Sequence, residues 1–412
     1  MSAHSVGAFL WLVIALCGAS TCYIAIAALV HAGARGMRRV PVDIQHDENL
    51  SSLHMPVSVL KPLCGAEPRL YWNLESFCTQ AHPSYQLVFG VASADDAAAS
   101  VVRRLIQAYP ERDIALVVNA EIHGTNLKVS NLLNLIERAR HEWLVIADSD
   151  ISVGPDYLTR VTAPLADARI GLVTCLYRAR CVGGFWSRLG GLFIDEWFAP
   201  SVDVANLGGY GRFGFGATLA LSREMLEQAG GFEALRDCLA DDYWLADRVR
   251  ACGKRTVLSG IVVTTDVIEN RFAPLWHRET RWLRTIRSVN PAGFLFLCLT
   301  LTSPWLLTSA LIGVSLDTSG ADLVQSIADT IVDTSTSLGL SARLLLHWRC
   351  ARSWRHFWWN LPLIPLRDAL MCVQWFAALF GSNVNWRGAR VPIGDVRDAY
   401  RAEAPVSDND SL

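Results

Sequence analysis

Acidic residues at the ends of apolar runs are the first groups in this sequence that could do chemistry. Asp148-Ser149-Asp150 follows Trp143-Leu-Val-Ile-Ala. Two acids one residue apart where a strand ends can both face a divalent cation, which oxygen ligands suit. Mg2+ or Mn2+ held there would neutralise a diphosphate as a leaving group. Taken alone, an Asp-x-Asp triplet is equally a helix cap or a solvated loop. Ala240-Asp241-Asp242-Tyr243 opens an expected helix, where Asp also serves as a cap. A third acid pair, Asp95-Asp96, follows a run ending at Val91, and Arg278-Glu-Thr-Arg281-Trp282 adds two cations and an indole. Gly209-Tyr-Gly211-Arg-Phe-Gly214 has the spacing of a dinucleotide loop, but that loop requires a helix after it. Gly216-Ala-Thr-Leu-Ala-Leu follows instead and reads as a strand, so the glycines are expected to line a substrate site. The sequence contains no nucleophile elbow, phosphate-binding Walker loop or HExxH helix.

Positioning these acids requires strands that end together. Between Val40 and Arg287, short runs rich in Val, Ile and Leu alternate with helical patterns, the signature of βαβ units. Strands are expected at Val57–Leu60, Gln86–Val91, Ile114–Val118, Trp143–Ala147, Gly171–Leu176, Thr218–Leu221 and Thr256–Leu258, with helices at Val101–Tyr109, Val129–Arg138 and Asp241–Cys252. Ligands of open α/β sheets bind outside the carboxyl ends of the strands.

The remainder of the chain is of a different character. It has 412 residues, of which 51% are hydrophobic and only 18% charged, with a mean hydropathy of +0.25. Soluble domains carry about 25% charged residues. Thirty-seven Lys and Arg against 39 Asp and Glu leave a net −2, far from the basic surplus a nucleic-acid partner selects. The eleven cysteines show no CxxC pair and no zinc spacing, which fits a reducing compartment. Residues 1–34 lack Asp, Glu, Lys and Arg, and Gly7–Val30 is long enough to cross a bilayer, which takes about 20 residues. A signal peptide would need a basic start and a shorter apolar stretch. Arg35, Arg38 and Arg39 follow, placing the next segment in the cytoplasm by the positive-inside rule. A second uncharged run covers Ser288–Leu316. Ala321–Leu346, which holds three Asp, reads as a poor span or an interfacial helix. Nine of the fifteen tryptophans lie from Trp276 onward, several of them among arginines between Arg349 and Trp359, an interface-anchoring mixture. His356–Trp386 is interrupted by Arg367-Asp368 and reads either as a re-entrant hairpin or as one span with an internal ion pair.

The order of the polar pieces raises their meaning. Val57-Ser-Val-Leu-Lys61-Pro-Leu, Asp95-Asp96, Asn126-Leu-Lys128-Val-Ser-Asn131, Asp148-Ser-Asp150, Asp241-Asp242-Tyr243 and Arg278-x-x-Arg281-Trp282 occur in one chain. Together, over Pro56–Pro291, they resemble the ceramide glucosyltransferase family, membrane-anchored inverting glycosyltransferases with a GT-A fold. Within it, Ser58–Tyr71 and Leu239–Leu245 look closest to the bacterial hopanoid-biosynthesis branch, and Asp150 favours that branch because the animal enzymes lack the second Asp of the triplet. The chain departs from the family at Ala92-Ser93, where relatives usually carry an Asp, and at Ala97 in place of a Pro.

The resemblance implies an N-terminal membrane helix at 1–34, a cytosolic GT-A domain at 40–287, membrane or interfacial helices at 288–386 and a polar tail at 387–412. It makes Asp148 and Asp150 the ligands of Mg2+ or Mn2+, and Asp242 the base that takes a proton from a lipid hydroxyl. Lys61, Asp96, Asn126, Lys128, Asp148 and Arg281 are expected at the nucleotide sugar, and Arg278, Arg281 and Trp282 at the leaving group and acceptor. Implied partners are a UDP-sugar, a membrane lipid and the bilayer of a bacterial inner membrane, without nucleic acid or an obligatory protein. The implied reaction moves N-acetylglucosamine from UDP-N-acetylglucosamine to a bacteriohopanepolyol. Its rivals are glucosylation of ceramide or another lipid from UDP-glucose, processive polysaccharide synthesis, which needs more channel-forming helices, and an inactive membrane scaffold.

Overall fold

The computed structural model describes residues 3–39, 55–209, 212–317, 323–381, 383–386 and 389–392. Its centre is an eight-stranded mixed sheet of β1 (Val57–Pro62), β2 (Tyr85–Val91), β3 (Asp113–Val118), β4 (Trp143–Ile146), β5 (Ile151–Ser152), β6 (Ile170–Cys181), β7 (Leu219–Ser222) and β8 (Arg255–Val267). The strand order is β3-β2-β1-β4-β7-β6-β8-β5. β1, β2, β3 and β4 run parallel, with Val59 beside both Leu87 and Val145. β7 is antiparallel to β4 and β6, β8 lies parallel to β6, and β5 is antiparallel to β8. All seven expected strands are present. β6 and β8 extend well past the expected runs, and the two-residue β5 is too short to leave an apolar signal.

Alternation along the strands divides the interior into two cores, as the period-two pleat requires. Val57, Val59, Leu87, Phe89 and Val145 pack with helices Leu70–Cys78, Ala97–Ala108 and Tyr157–Thr162. Leu60, Val88, Leu144 and Ile146 pack on the opposite face with helices Leu127–Ile136, Arg223–Gln228 and Asp241–Ala251.

The N-terminal helix runs Ala3–Arg39, and its Trp11–Ala34 section is long and apolar enough to cross a membrane. The expected second span is broken: Pro291–Thr300 and Thr302–Gly313 together pass the same test but meet at a 53° bend. Leu323–Cys350 is one 28-residue helix that packs on the N-terminal helix through Leu346 and Ala342 against Ile24 and Ala28. The apolar stretch from His356 resolves into two helices, Trp354–Asn360 and Leu363–Leu379. Strands Asn383–Trp386 and Ala389–Pro392 pair as an antiparallel hairpin, and most of the expected polar tail lies outside the described residues, as does the start of the expected domain at Val40.

Arg367 and Asp368 do not pair with each other. Arg367 donates to Glu279 Oε2 at 2.8 Å and to Gln374 Oε1 at 2.6 Å, and Gln374 donates to the same Glu279 oxygen at 2.9 Å. Asp368 instead accepts from Arg343 at 3.2 Å and from Ser303 at 2.5 Å. Consecutive residues on a helix point about 100° apart, so each charge reaches a different neighbour. Removing one partner of a buried ion pair strands the other. Glu279→Leu is therefore expected to destabilise the fold by about 3–5 kcal/mol. Thermal unfolding in detergent measures this, and Glu279→Leu combined with Arg367→Met should recover much of the loss.

Candidate active site

The carboxyl ends of β1 and β4 deliver the first groups. β4 ends at Ile146, and Asp148 follows with its backbone N–H donating to the Gly216 carbonyl at 3.2 Å. The Gly216 N–H donates in turn to Asp242 Oδ2 at 2.8 Å. One glycine thus ties the Asp-x-Asp segment to the start of helix Asp241–Ala251. A Cβ at Gly216 would lie 2.8 Å from Asp148 Oδ2 and 3.0 Å from Lys128 Nζ, so only glycine lets the three groups close on one another.

Lys128 sits at the centre. Its Nζ is 2.8 Å from Asp148 Oδ1 and 3.2 Å from Asp241 Oδ2. Burial opposes its charge, yet Asp148, Asp241 and Asp242 hold the ammonium well above its ordinary value. Asn126 caps the helix that carries it, accepting from the N–H groups of Lys128 and Val129 and donating to the Cys238 carbonyl and Asp241 Oδ1.

Asp150 lies on the other side of Asp148. Its Oδ2 accepts from the Thr265 hydroxyl at 2.8 Å, and its carbonyl accepts from the Asp266 N–H. Burial and then the Asp148 charge push its carboxyl up to about 6. Asp242 is likewise raised to about 6, by burial first and the adjacent Asp241 second, against the pull of Lys128 and two backbone N–H donors. The phenol of Tyr177 on β6 is pushed up by burial and by the charges of Asp242, Asp150 and Asp148, and drawn down by Arg278. Groups from five separate stretches of chain, at Lys128, Asp148 and Asp150, Tyr177, Asp241 and Asp242, and Arg278, therefore share one electrostatic environment.

Lys61 and Asn126, both expected at the nucleotide sugar, are buried among protein groups. Lys61 is fully buried; it donates to the Asp148 carbonyl at 2.8 Å and stands 3.7 Å from the Phe77 ring centroid. Burial brings it down to about 7, partly opposed by Asp148 and Asp150. A side chain so enclosed supports the Asp148 backbone. Asn126, also buried, supports Lys128 in the same way. Asp96 caps helix Ala97–Ala108 and accepts from the Gly65 N–H at 3.0 Å, joining the loops after β2 and β1.

Arg278 lies on helix Phe272–Val289, paired with Glu269 at 2.6 Å and stacked 5.1 Å from Trp282, which packs on Phe193. Its Nε and Nη2 are buried without a hydrogen-bond partner among the described residues. Arg281 is half-buried on the same helix. Of the glycine loop, Tyr210 and Gly211 lie outside the described residues, while Gly214 packs against the Asp242 backbone and Gly216 closes the site. Thr265, Tyr177 and the bridging role of Gly216 were missed by sequence reading. Only the glycine left a signal there, as part of a glycine-rich run next to an expected strand.

The sequence matches glycosyl transferase family 21 over residues 12–398. The chain belongs to that family. Among curated relatives it is 29% identical over 229 residues to ceramide glucosyltransferase 1 of Caenorhabditis elegans, covering 55% of this chain and 49% of the relative. It is 27% identical over 232 residues to ceramide glucosyltransferase 3 of the same organism, covering 55% and 50%. The chain thus spans about half the length of the curated relatives it matches. Among solved structures it resembles a mannosyltransferase from Pyrobaculum calidifontis in complex with GDP-Man and Mn2+, with a TM-score of 0.52, 20% identity, and coverage of 88% of this chain and 99% of that one. The fold is GT-A, a mixed α/β sheet, as the sequence resemblance implied.

Because the atoms nearest a Cβ at Gly216 are side-chain tips, Gly216→Ala should cost little stability while displacing Asp148 Oδ2 and Lys128 Nζ. The expected result is an unfolding temperature close to that of the parent and, if the site is a transferase's, turnover reduced about a hundredfold, as misplacement by an ångström can produce. Parallel melting and turnover assays measure both.

Proposed function

We propose that this protein transfers a sugar from a UDP-sugar to a hydroxyl group of a membrane lipid, with inversion at the anomeric carbon. The observation that carries the reading is the convergence of Asp148 and Asp242 on the two sides of Gly216, next to Lys128. Attack and departure must occur on opposite faces of one sugar, so a base and a diphosphate site have to lie close together.

In this reading the lipid hydroxyl gives its proton to Asp242 as its oxygen bonds to the anomeric carbon. The bond from that carbon to the diphosphate breaks, and UDP leaves with the electron pair. Asp242 suits the task because burial and Asp241 raise its proton affinity towards neutral pH. Lys128 and Arg278, whose guanidinium is paired with Glu269 and lies 3.8 Å from Glu279, supply positive charge for the departing diphosphate. Arg281 and Trp282 share that helix and complete the motif.

The residues at the end of β4 fit a divalent cation. Asp148 and Asp150 offer hard carboxylate oxygens, and burial and then the Asp148 charge raise the cost of charging Asp150, a cost that a cation joining them would lower. Among the described residues no set of three His, Cys, Asp or Glu side chains forms a cation site, so the remaining ligands would be diphosphate and water oxygens, the usual manner for Mg2+. When bound, such an ion supplies charge neutralisation at the leaving group.

For substrates, the motif resemblance favours N-acetylglucosamine from UDP-N-acetylglucosamine and a bacteriohopanepolyol, as a step of hopanoid biosynthesis. The curated relatives are ceramide glucosyltransferases, which favours glucosylation of ceramide as the second reading. The apolar N-terminal helix and the arginines after it support a bacterial inner-membrane protein whose site faces the cytoplasm. UDP-sugars are cytosolic and the acceptor is held in lipid, so a site at that surface meets both.

Asp242→Asn is expected to leave folding intact and to lower transfer on the order of 10²–10⁴-fold. Since the carboxylate is the active form and its proton affinity is raised to about 6, kcat/KM of the parent should be flat at neutral pH and fall as pH drops below about 6. A pH profile without that acid limb, or an active Asn variant, removes Asp242 as the base.

Membranes containing the protein, incubated with UDP-N-acetylglucosamine or UDP-glucose and with bacteriohopanepolyol or ceramide, decide the substrates when the lipids are weighed by mass spectrometry. EDTA should abolish transfer, and Mg2+ or Mn2+ should restore it. Undiminished transfer in EDTA would remove the cation from the reading, and the absence of any glycolipid would remove transfer itself.

A further inference from the structure

Resting on the transfer reading, we propose that Tyr177 is the acceptor-binding residue, its hydroxyl donating to the oxygen of the lipid alcohol while that alcohol donates to Asp242. Three features of β6 place it there. Thr174 exchanges hydrogen bonds with both backbone groups of Phe215, at 2.9 and 3.4 Å, and Phe215 precedes the glycine that holds Asp242. Ala179 pairs in register with Thr265, whose hydroxyl holds Asp150. Tyr177 lies between these positions on the same strand and pairs with Val263. The sheet therefore sets it between the segment that fixes the base and the one that fixes the carboxylate pair.

The ring is fixed and the hydroxyl is available. Tyr177 stacks on Phe198 at 4.8 Å and 26° and meets Phe215 edge-on at 6.1 Å. Phe198 and Phe215 are 5.3 Å apart, and Phe213 stacks on Phe215 at 5.3 Å. Tyr177, Phe198, Phe213 and Phe215 are all half-buried and make a contiguous aromatic wall. No hydrogen bond engages the Tyr177 hydroxyl among the described residues, whereas the other strand-borne phenol of the core, Tyr85, donates to the Cys78 carbonyl. A buried phenol usually finds such a partner.

The chemistry distinguishes an acceptor role from a donor role. The charges acting on the phenol are those of Asp242, Asp150, Arg278 and Asp148. Held protonated by burial first and by the nearby carboxylates second, the phenol is a hydrogen-bond donor. An alcohol that gives its proton to Asp242 keeps lone pairs on its oxygen, and a neutral donor can orient that oxygen without neutralising the base. The apolar wall beside it suits an alcohol attached to a hydrocarbon body better than it suits a charged nucleotide.

The test uses full-length protein in lipid nanodiscs, with whichever of bacteriohopanepolyol and ceramide the parent glycosylates. Tyr177→Phe keeps the ring stack and removes only the hydroxyl. The expected result is a KM for the lipid raised roughly tenfold, the worth of one hydrogen bond to a positioned group, with UDP affinity by calorimetry, melting temperature and acceptor-free UDP-sugar hydrolysis unchanged. A lipid KM equal to the parent's overturns the proposal, as does a variant that loses UDP affinity or melts early, because the hydroxyl would then serve the donor site or the fold. Failure of the parent itself to glycosylate either lipid refutes the transfer reading instead.

Discussion

Four charged groups packed together and partly buried cannot coexist unless their charges are matched, and Lys128 is where that matching occurs. Its ammonium bridges Asp148 and Asp241 at 2.8 and 3.2 Å, and Asp242 lies close enough to add to its charge. Without that cation, three carboxylates from two distant stretches of sequence would repel one another across the site. The surrounding structure serves to hold the ammonium in place. Asn126 caps its helix, Gly216 leaves room for its tip, and buried Lys61 fixes the backbone of the acid it binds.

The helices outside the sheet are joined to this domain through buried polar groups as well as apolar contact. Phe193, Ile194, Val267 and Leu283 share a core with Phe294, Met371 and Trp375. Through it run Arg367 to Glu279, Arg343 to Glu196 at 2.8 Å and His347 to Glu196 at 2.6 Å, while His31 of the N-terminal helix meets Asp203 at 2.7 Å. Buried ion pairs add little net stability but are costly to break singly, so they specify one docking arrangement among many that apolar surfaces would allow. Glu196 belongs to a π-helical turn, Ile194–Phe198, whose Phe198 also stacks on Tyr177. One distorted turn therefore touches the apolar helices with one residue and the candidate site with another, and such turns often occur at functional positions.

Much of the sheet was legible because apolar runs and acids at their ends are local signals. Asp148, Asp150 and the Asp241-Asp242 pair stand out in sequence by type and by place. Roles set by long-range register could not. Nothing near Tyr177 in sequence says that Thr174 and Ala179 tie its strand to the segments holding Asp242 and Asp150. Lys61 reads as a cationic contact until its burial beneath Asp148 is seen, and Arg367-Asp368 reads as an internal pair because neighbours in sequence are the only partners a sequence displays. The apolar run from Ser288 was also legible as to composition but not as to its break at Leu301, since hydropathy averages over a bend.

Adjacent acids with identical side chains acquire different capacities from what holds them. Asp241 is engaged by Lys128 and by the Asn126 amide, so it belongs to the charge-matching core of the site. Asp242, one residue on, turns instead to two backbone N–H groups, Gly216 at 2.8 Å and its neighbour Tyr243 at 2.8 Å. Backbone donors fix a carboxylate in direction without cancelling its charge, and burial beside Asp241 then raises its affinity for a proton. A base that works near neutrality needs this combination, a fixed direction and a proton affinity closer to that of the medium. The proposal of Asp242 rather than Asp241 as the base entered through resemblance alone, and the two hydrogen-bond sets supply a physical reason to prefer it.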